Sequence, residues 1–428
     1  MIEELNRYVV VAPQPFVLDL AACDGMWLAT VDGQRLFDWA GFFGSKLLGH
    51  NPPALRTPEA AVRLALAACH KVANPDFLTP ECLAYYQLVH ALAPRCMAGP
   101  ELEVYVVNSG AEAVENLLKY FLNLHAQRLA AKGRRPGVRR FLYFEQAFHG
   151  RTLFALNVTQ VAHDPVMTRG FQGLVPGNLQ VPFPALDTSR SHELNLADVQ
   201  ASLEIVEAAL ARYRDEVVGI VVEPLQGAGG HRAALPEFFR GLSELAHRHD
   251  VFLGFDEVQT AGGQAGAVFA VDLFDLPHPP QAVATAKKLG NGVLYMRHPM
   301  DDRGVLDSTW GGALVDMVRF TLEWEVVRSE RLLEQVAAKA ALLVDGLEAL
   351  ARRHPDKLTN VRGLGLYQGF SLLDPAHKAR LIEAAREQED LLLLGAGTDT
   401  IRLRPPLTVT EGEIGLFLEK LGRLVGGL

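Results

Sequence analysis

Between residues 101 and 286, short runs of almost uninterrupted apolar residues alternate with amphipathic stretches, and no other feature of the chain restricts its fold as much. The runs are "ELEVYVV" (101–107), "RFLYF" (140–144), "VVGIVVEP" (217–224), "VFLGF" (251–255) and "QAVATA" (281–286). A strand with one wet face would alternate polar and apolar residues; continuous apolarity means that both faces are covered. Among the stretches between them, "AEAVENLLKYFLNLHAQRLA" places Val114, Leu117, Leu118, Phe121 and Leu122 on one helical face, and "PEFFRGLSELAHRH" (236–249) also reads as a helix. The order implies an α/β fold whose large domain is built on a mainly parallel sheet with helices on both faces. Ligands of such sheets sit beyond the carboxyl ends of the strands.

The chain changes character from about residue 325. "RFTLEWEVVRSERLLEQVAAKAALLVDGLEALARRH" reads as one long helix, followed by alternating segments around "GLGLYQGFSLL", a charged helix and "DTIRLRPPLTVT". This predicts a smaller α+β lobe. Near the start, Asp32-Gly33 reads as a hairpin turn between two short strands. The expected organisation is an N-terminal segment (1–55) joining the small lobe and a dimer surface, a large domain (56–324) and a small domain (325–428). A chain of 428 residues suits such a division. "LPHPP" (276–280) reads as a stiff surface loop.

Composition excludes several classes of function. With 41 basic residues against 50 acidic ones, the net charge of −9 argues against a nucleic-acid binder. No apolar run is long enough to span a bilayer, and Met1–Arg7 is too polar for a signal peptide. Cys23, Cys69, Cys82 and Cys96 lack CxxC spacing and read as reduced thiols, which together with the missing signal predicts a cytoplasmic protein. No metal site is expected.

The strand ends carry the chemistry. "VFLGFDEVQTAGGQAG" (251–266) drives an apolar strand into Asp256 and Glu257, where a buried charge needs a compensating partner. Asn108-Ser109-Gly110-Ala111 turns into a helix whose free N–H groups suit a phosphate, although Ser109 as a plain N-cap explains the same residues. "EQAFHGRT" brings Phe148, His149 and Arg151 into one loop, and "LQGAGG" is a loop that admits close backbone approach. "QAVATA" delivers Lys287-Lys288. A phosphate cradle, a flat aromatic, a buried acid and a lysine are the parts that pyridoxal phosphate requires. Asp256 would then face a protonated ring nitrogen.

With "NSGAEAVEN" (108–116), "FHGR" (148–151), "EPLQG" (223–227), "FDEVQT" (255–260), "KK" (287–288) and "STWGG" (308–312) in this order, the chain resembles the class III, fold-type I pyridoxal-phosphate aminotransferases. "STWGG" and "GTDTIRLRPPLTVT" (397–410) look most like the lysine 6-aminotransferase branch. The resemblance implies that Lys287 forms the Schiff base and shuttles the proton, with Lys288 the alternative one register away. It implies Asp256 on the pyridinium, Gln259 on the ring hydroxyl, Phe148 and Val258 on the ring faces, and Ser109, Gly110 and Ala111 on the phosphate. Thr309 would reach the phosphate of the neighbouring subunit in a homodimer. Arg151 and Arg404 would receive substrate carboxylates, a task suited to a bidentate guanidinium. The implied reaction moves the terminal amino group of an amino acid, by preference L-lysine, to 2-oxoglutarate, giving glutamate and a semialdehyde that cyclises.

Three departures from the family pattern bear on the substrate. Relatives usually carry a glutamate after the Gln-Gly pair that masks the second arginine; here the residue is Ala228. Asp307 stands where the lysine branch has asparagine, and is a candidate substrate contact. "QAVATAKK" lacks the glycine that often precedes the lysine. Acetylornithine, ornithine or another ω-amino-acid donor, or racemisation, would use the same cofactor set. A nicotinamide-dependent dehydrogenase would need a GxGxxG after an early strand, which is missing. A cofactor-binding regulator without catalysis would have no need of Lys287, Asp256 and Arg151 together.

Overall fold

Each of the five apolar runs supplies a strand of one seven-stranded sheet. A computed structural model describes residues 1–11, 13–171 and 177–428. Near the N-terminus, β1 (Trp27–Ala29) and β2 (Arg35–Asp38) pair as a hairpin, with Gly33 at φ 90° in the expected turn. The large sheet comprises β3 (Glu103–Val107), β4 (Arg140–Phe144), β5 (Leu179–Val181), β6 (Val217–Val222), β7 (Phe252–Asp256), β8 (Ala282–Thr285) and β9 (Gly292–Met296), in the order β3-β9-β8-β7-β6-β4-β5. Every residue of β6 and β7 is buried, as their unbroken apolarity requires.

The sheet is parallel except at β9, which runs antiparallel to both β3 and β8. The sequence reading missed β9 ("GVLYM"). It follows β8 after only six residues (286–291), too few for the crossover that a parallel neighbour needs. The helix Gly110–Ala131 covers one face, burying Val114, Leu117, Leu118 and Phe121; the helix Pro236–Arg248 buries Phe238, Phe239 and Leu242 on the other side.

The long helix expected over 319–354 is two helices, Leu314–Ser329 and Leu332–Arg353. Arg331 adopts a left-handed conformation (φ 52°, ψ 41°) between them, so the continuous apolar pattern hides a corner that no glycine or proline announces. The C-terminal strands β10 (Leu358–Leu364), β11 (Tyr367–Leu372), β13 (Leu394–Ala396) and β14 (Thr400–Arg402) form a four-stranded antiparallel sheet. The short β12 (Leu391–Leu392) instead pairs with β2, tying the N-terminal hairpin to C-terminal residues.

Candidate active site

The carboxyl ends of β3, β4, β6, β7 and β8 gather the candidate residues at one edge of the large sheet. After β3, Ser109 caps the helix Gly110–Ala131: its Oγ accepts from Glu112 N at 3.2 Å, while Glu112 Oε2 accepts from Asn108 N (2.6 Å) and Ser109 N (3.1 Å). Capping of this kind contributes about 1 kcal/mol. The N–H groups of Gly110 and Ala111 find no acceptor among the described residues, and the helix dipole adds positive potential there. A Cβ on Gly110 would stand 2.7 Å from Val258 Cγ1, so only glycine lets the cradle close against the β7 loop.

The two carboxylates after β7 serve different ends. Glu257 is wholly buried and turns inward, accepting from Thr260 Oγ1, Ala270 N (3.0 Å) and Val271 N (2.7 Å); burial pushes its pKa up to about 7 against those bonds. It is a structural acid that pins the 270–273 turn. Asp256 is also buried, with His149 Nδ1 at 2.8 Å from Oδ2 and Val258 N donating to Oδ1 at 3.0 Å. Burial pulls His149 towards neutrality, but its hydrogen bond and charge pairing with Asp256 outweigh that and raise its pKa. Its buried Nε2 has no partner among the described residues. Beside them Glu223, at the end of β6, accepts from Phe148 N at 2.9 Å; burial, eased by the His149 charge, pushes its pKa up to about 8. Glu223 was overlooked in the sequence, although "VVEP" meets the same criterion as "GFDE": an acid ending a buried strand.

The adjacent lysines differ in how fully they are engaged. Lys288 is buried, and its Nζ donates to Gln259 O (2.5 Å), Tyr367 Oη (2.9 Å) and Gly44 O (3.2 Å). Burial, and then the charges of Lys287 and Arg404, hold its pKa well below the usual lysine range. Lys287 is half-buried, adopts φ 51°, and among the described residues its Nζ donates to Phe43 O alone, at 3.1 Å. Burial, followed by Arg402 and Arg404, lowers its pKa to about 7. Only Lys287 has bonding capacity to spare.

The arginines differ in burial and in partners. Arg404 is buried and engaged: its guanidinium donates to Leu403 O (2.8 Å), Gln259 Oε1 (3.1 Å) and His231 Nδ1 (3.1 Å), and lies 4.5 Å from the Tyr367 ring centroid. Burial and the neighbouring arginines keep the His231 pKa well below normal, so its Nδ1 can accept. Arg402 is buried with Nε and Nη1 lacking any partner among the described residues, and burial and Arg404 lower its pKa to about 9. Residues i and i+2 of an extended chain share a face, so "IRLR" alone could not say which guanidinium is taken. Arg151 is exposed, 3.9 Å from Asp164 and 6.0 Å from the Phe148 ring centroid.

The remaining candidates fall into two groups. Phe148 packs on Leu156, Val161 and Met167, and Val258 sits against Gly110. Gln259 spends its Oε1 on Arg404. Thr309 and Asp307 are exposed on the segment that leads into Gly311 and Gly312, with Asp307 Oδ1 accepting from Ser308 N at 2.7 Å. Neither contacts the other candidates among the described residues. No group of three His, Cys, Asp or Glu among the described residues could hold a metal ion.

Unpaired amides at a helix start, a buried carboxylate on a strand end and a lysine with free capacity together fit pyridoxal phosphate: anion cradle, pyridinium partner and amine. The chain belongs to the class III aminotransferases, whose family model matches residues 8–425, and it uses that family's pyridoxal phosphate. Among individual relatives it is 35% identical to the L-lysine-epsilon aminotransferase of Amycolatopsis lactamdurans, over 98% of this chain and 94% of that one. It is 31% identical to the acetylornithine aminotransferase of Mesorhizobium japonicum, over 98% of this chain and 96% of the other. A solved structure of lysine aminotransferase from M. tuberculosis in the internal aldimine form superposes with a TM-score of 0.91 at 32% identity, covering 98% of this chain and 97% of that chain. The fold-type I architecture that the resemblance implied is borne out by this match.

Proposed function

We propose that this aminotransferase moves the ε-amino group of L-lysine to 2-oxoglutarate, giving glutamate and a semialdehyde that cyclises, and that it works as a cytoplasmic homodimer. The similarity to L-lysine-epsilon aminotransferases over nearly the whole chain supports the donor. The observation that carries the site assignment is the contrast between Lys287, bonded once, and Lys288, bonded three times. When bound, pyridoxal phosphate supplies an aldehyde and an electron sink. The chain supplies the rest. Gly110 and Ala111 donate N–H groups to the phosphate, beside the Ser109 cap. Asp256, held by His149 and the Val258 amide, presents a carboxylate to the ring nitrogen. Phe148 and Val258 would hold the ring between them, and Gln259 would bond its hydroxyl. Lys287, with its pKa near 7, takes and returns a proton at neutral pH.

For the substrate carboxylate we assign Arg402 in place of Arg404, because Arg402 keeps two buried N–H groups unpaired while Arg404 is occupied. Arg151 stands at the exposed rim as the second cation, and Asp307 is retained as a rim acid. Thr309, exposed in one protomer, would complete the partner's phosphate site. The four free cysteines accord with a reducing compartment.

One observation favours a second reading. The acids that act on Lys287 include Asp256, already bonded to His149, and Glu223, whose pKa burial raises and which Phe148 N already engages. With Ala228 in the loop, Asp307 at the rim is the one acid this reading leaves for the α-ammonium of lysine among the described residues. A donor whose α-nitrogen is acylated, such as acetylornithine, needs no such acid. A screen of amino donors with 2-oxoglutarate, read as glutamate formed, decides between them: lysine turning over best supports the first reading, and acetylornithine turning over best replaces it.

A further inference from the structure

The chain passes through a left-handed turn where it meets the two lysines. Gly41, Phe42, Phe43 and Gly44 have φ values of 53°, 47°, 60° and 82° in succession. Two consecutive phenylalanines in that region are disfavoured by contact of Cβ with the following carbonyl, so the surroundings must impose the conformation. At the entry, Asp38 Oδ1 accepts from both Ala40 N and Gly41 N at 2.9 Å, and Asp38 Oδ2 lies 3.1 Å from His50 Nε2. At the exit, Ser45 N donates back to Gly41 O at 3.1 Å and Ser45 Oγ to Phe42 O at 2.9 Å. Arg404 forms the wall. Its N donates to Trp39 O at 2.9 Å, and its carbonyl oxygen lies 2.1 Å from where a Cβ on Gly41 would stand.

The turn aims successive carbonyls at successive lysines. Phe43 O receives Lys287 Nζ at 3.1 Å, and Gly44 O receives Lys288 Nζ at 3.2 Å. A right-handed turn would point these carbonyls elsewhere, and Lys287 would lose its one acceptor. We propose that this left-handed turn positions the catalytic lysine: the Phe43 carbonyl holds the ε-amine of Lys287 whenever that amine is not bonded to the cofactor. Lys288 acts as the fixed pin, tied by three bonds that do not depend on the reaction, and Lys287 as the group that leaves and returns. Phe43 and Gly44 are positioning residues, since they act on the reaction through Lys287. The inference rests on Lys287 being the reacting amine.

The test reads Lys287 itself in the cofactor-free full-length chain, by its rate of acetylation against pH, followed by peptide mass mapping. A carbonyl acceptor favours the ammonium form. Gly44→Ala places a Cβ 3.2 Å from Arg404 Cδ at φ 82° and should open the turn. Its Lys287 should then titrate about one pH unit lower than in the wild type, a tenfold change. If Gly44→Ala does not fold, Ser45→Ala removes only the Oγ latch and should shift Lys287 in the same direction by about twofold. A folded variant of either kind whose Lys287 titrates as in the wild type overturns the proposal. Borohydride labelling of the loaded enzyme tests separately whether Lys287 is the reacting amine, so the two failures are distinguishable.

Discussion

Replacing Arg402 by glutamine should do two things that seldom go together: stabilise the cofactor-free protein and weaken its hold on 2-oxoglutarate. In the structure the guanidinium is buried, two of its nitrogens have no partner among the described residues, and its pKa is lowered to about 9. A buried unpaired polar group costs about 1–3 kcal/mol, and a charged one more; Arg402→Gln should recover roughly 2 kcal/mol, seen as a higher urea midpoint. A charge-assisted hydrogen bond to a carboxylate is worth about 1.5–3 kcal/mol, so KM for 2-oxoglutarate should rise about 10- to 150-fold. Arg404→Gln should show the reverse. It strips the buried partners from Leu403 O, His231 and Gln259, with an expected loss of about 2–4 kcal/mol of stability and a smaller change in KM. Steady-state kinetics and urea unfolding of both variants settle the matter. An Arg402→Gln protein that is less stable with KM unchanged, beside an Arg404→Gln protein with a large rise in KM, would refute the assignment.

Asp256→Asn should retain cofactor yet lower turnover by about 2–4 kcal/mol of barrier, because the charge opposite the ring nitrogen is lost; bound cofactor absorbance and kcat, measured together, check this. Lys287 has a native pKa near 7 against 10.5 unfolded, so between those values the unfolded chain binds more protons. Its stability penalty is therefore full below pH 7 and fades as pH rises towards 10. Cofactor-free wild type should accordingly gain about 2–4 kcal/mol on Lys287→Met across that window in urea titrations, and a constant difference would show that the native lysine is not depressed. Ala228→Glu should add an anion to the substrate site and raise kcat/KM for lysine about tenfold; no gain would mean that the residue does not face the donor.

Strand positions were legible because burial on both faces leaves an unmistakable apolar run: β4 falls on "RFLYF" residue for residue, and β6, β7 and β8 lie within one residue or two of their expected ends. β9 carries the same apolar mark ("GVLYM") but was passed over because it follows β8 so closely; the corner at Arg331 was not legible, since a helix break made by a left-handed arginine leaves no mark of its own. Asp256 could be suspected because acids rarely end buried strands, and the same reasoning, pursued one strand further, would have reached Glu223. Which of Arg402 and Arg404 is hydrogen-bonded was beyond the sequence, for it depends on which guanidinium His231 and Gln259 engage across the fold. The turn at 41–44 was equally hidden: "GFFG" reads as apolar filling until the signs of its φ angles are known.

The central claim is that Lys287 carries the cofactor while Lys288 is structural. Reducing the loaded enzyme with borohydride fixes the cofactor to whichever amine holds it, and peptide mapping by mass spectrometry locates the label. The account predicts a single label on Lys287, with Lys288 unmodified and Lys287→Ala unlabelled; a label on Lys288 or on any other residue would contradict it.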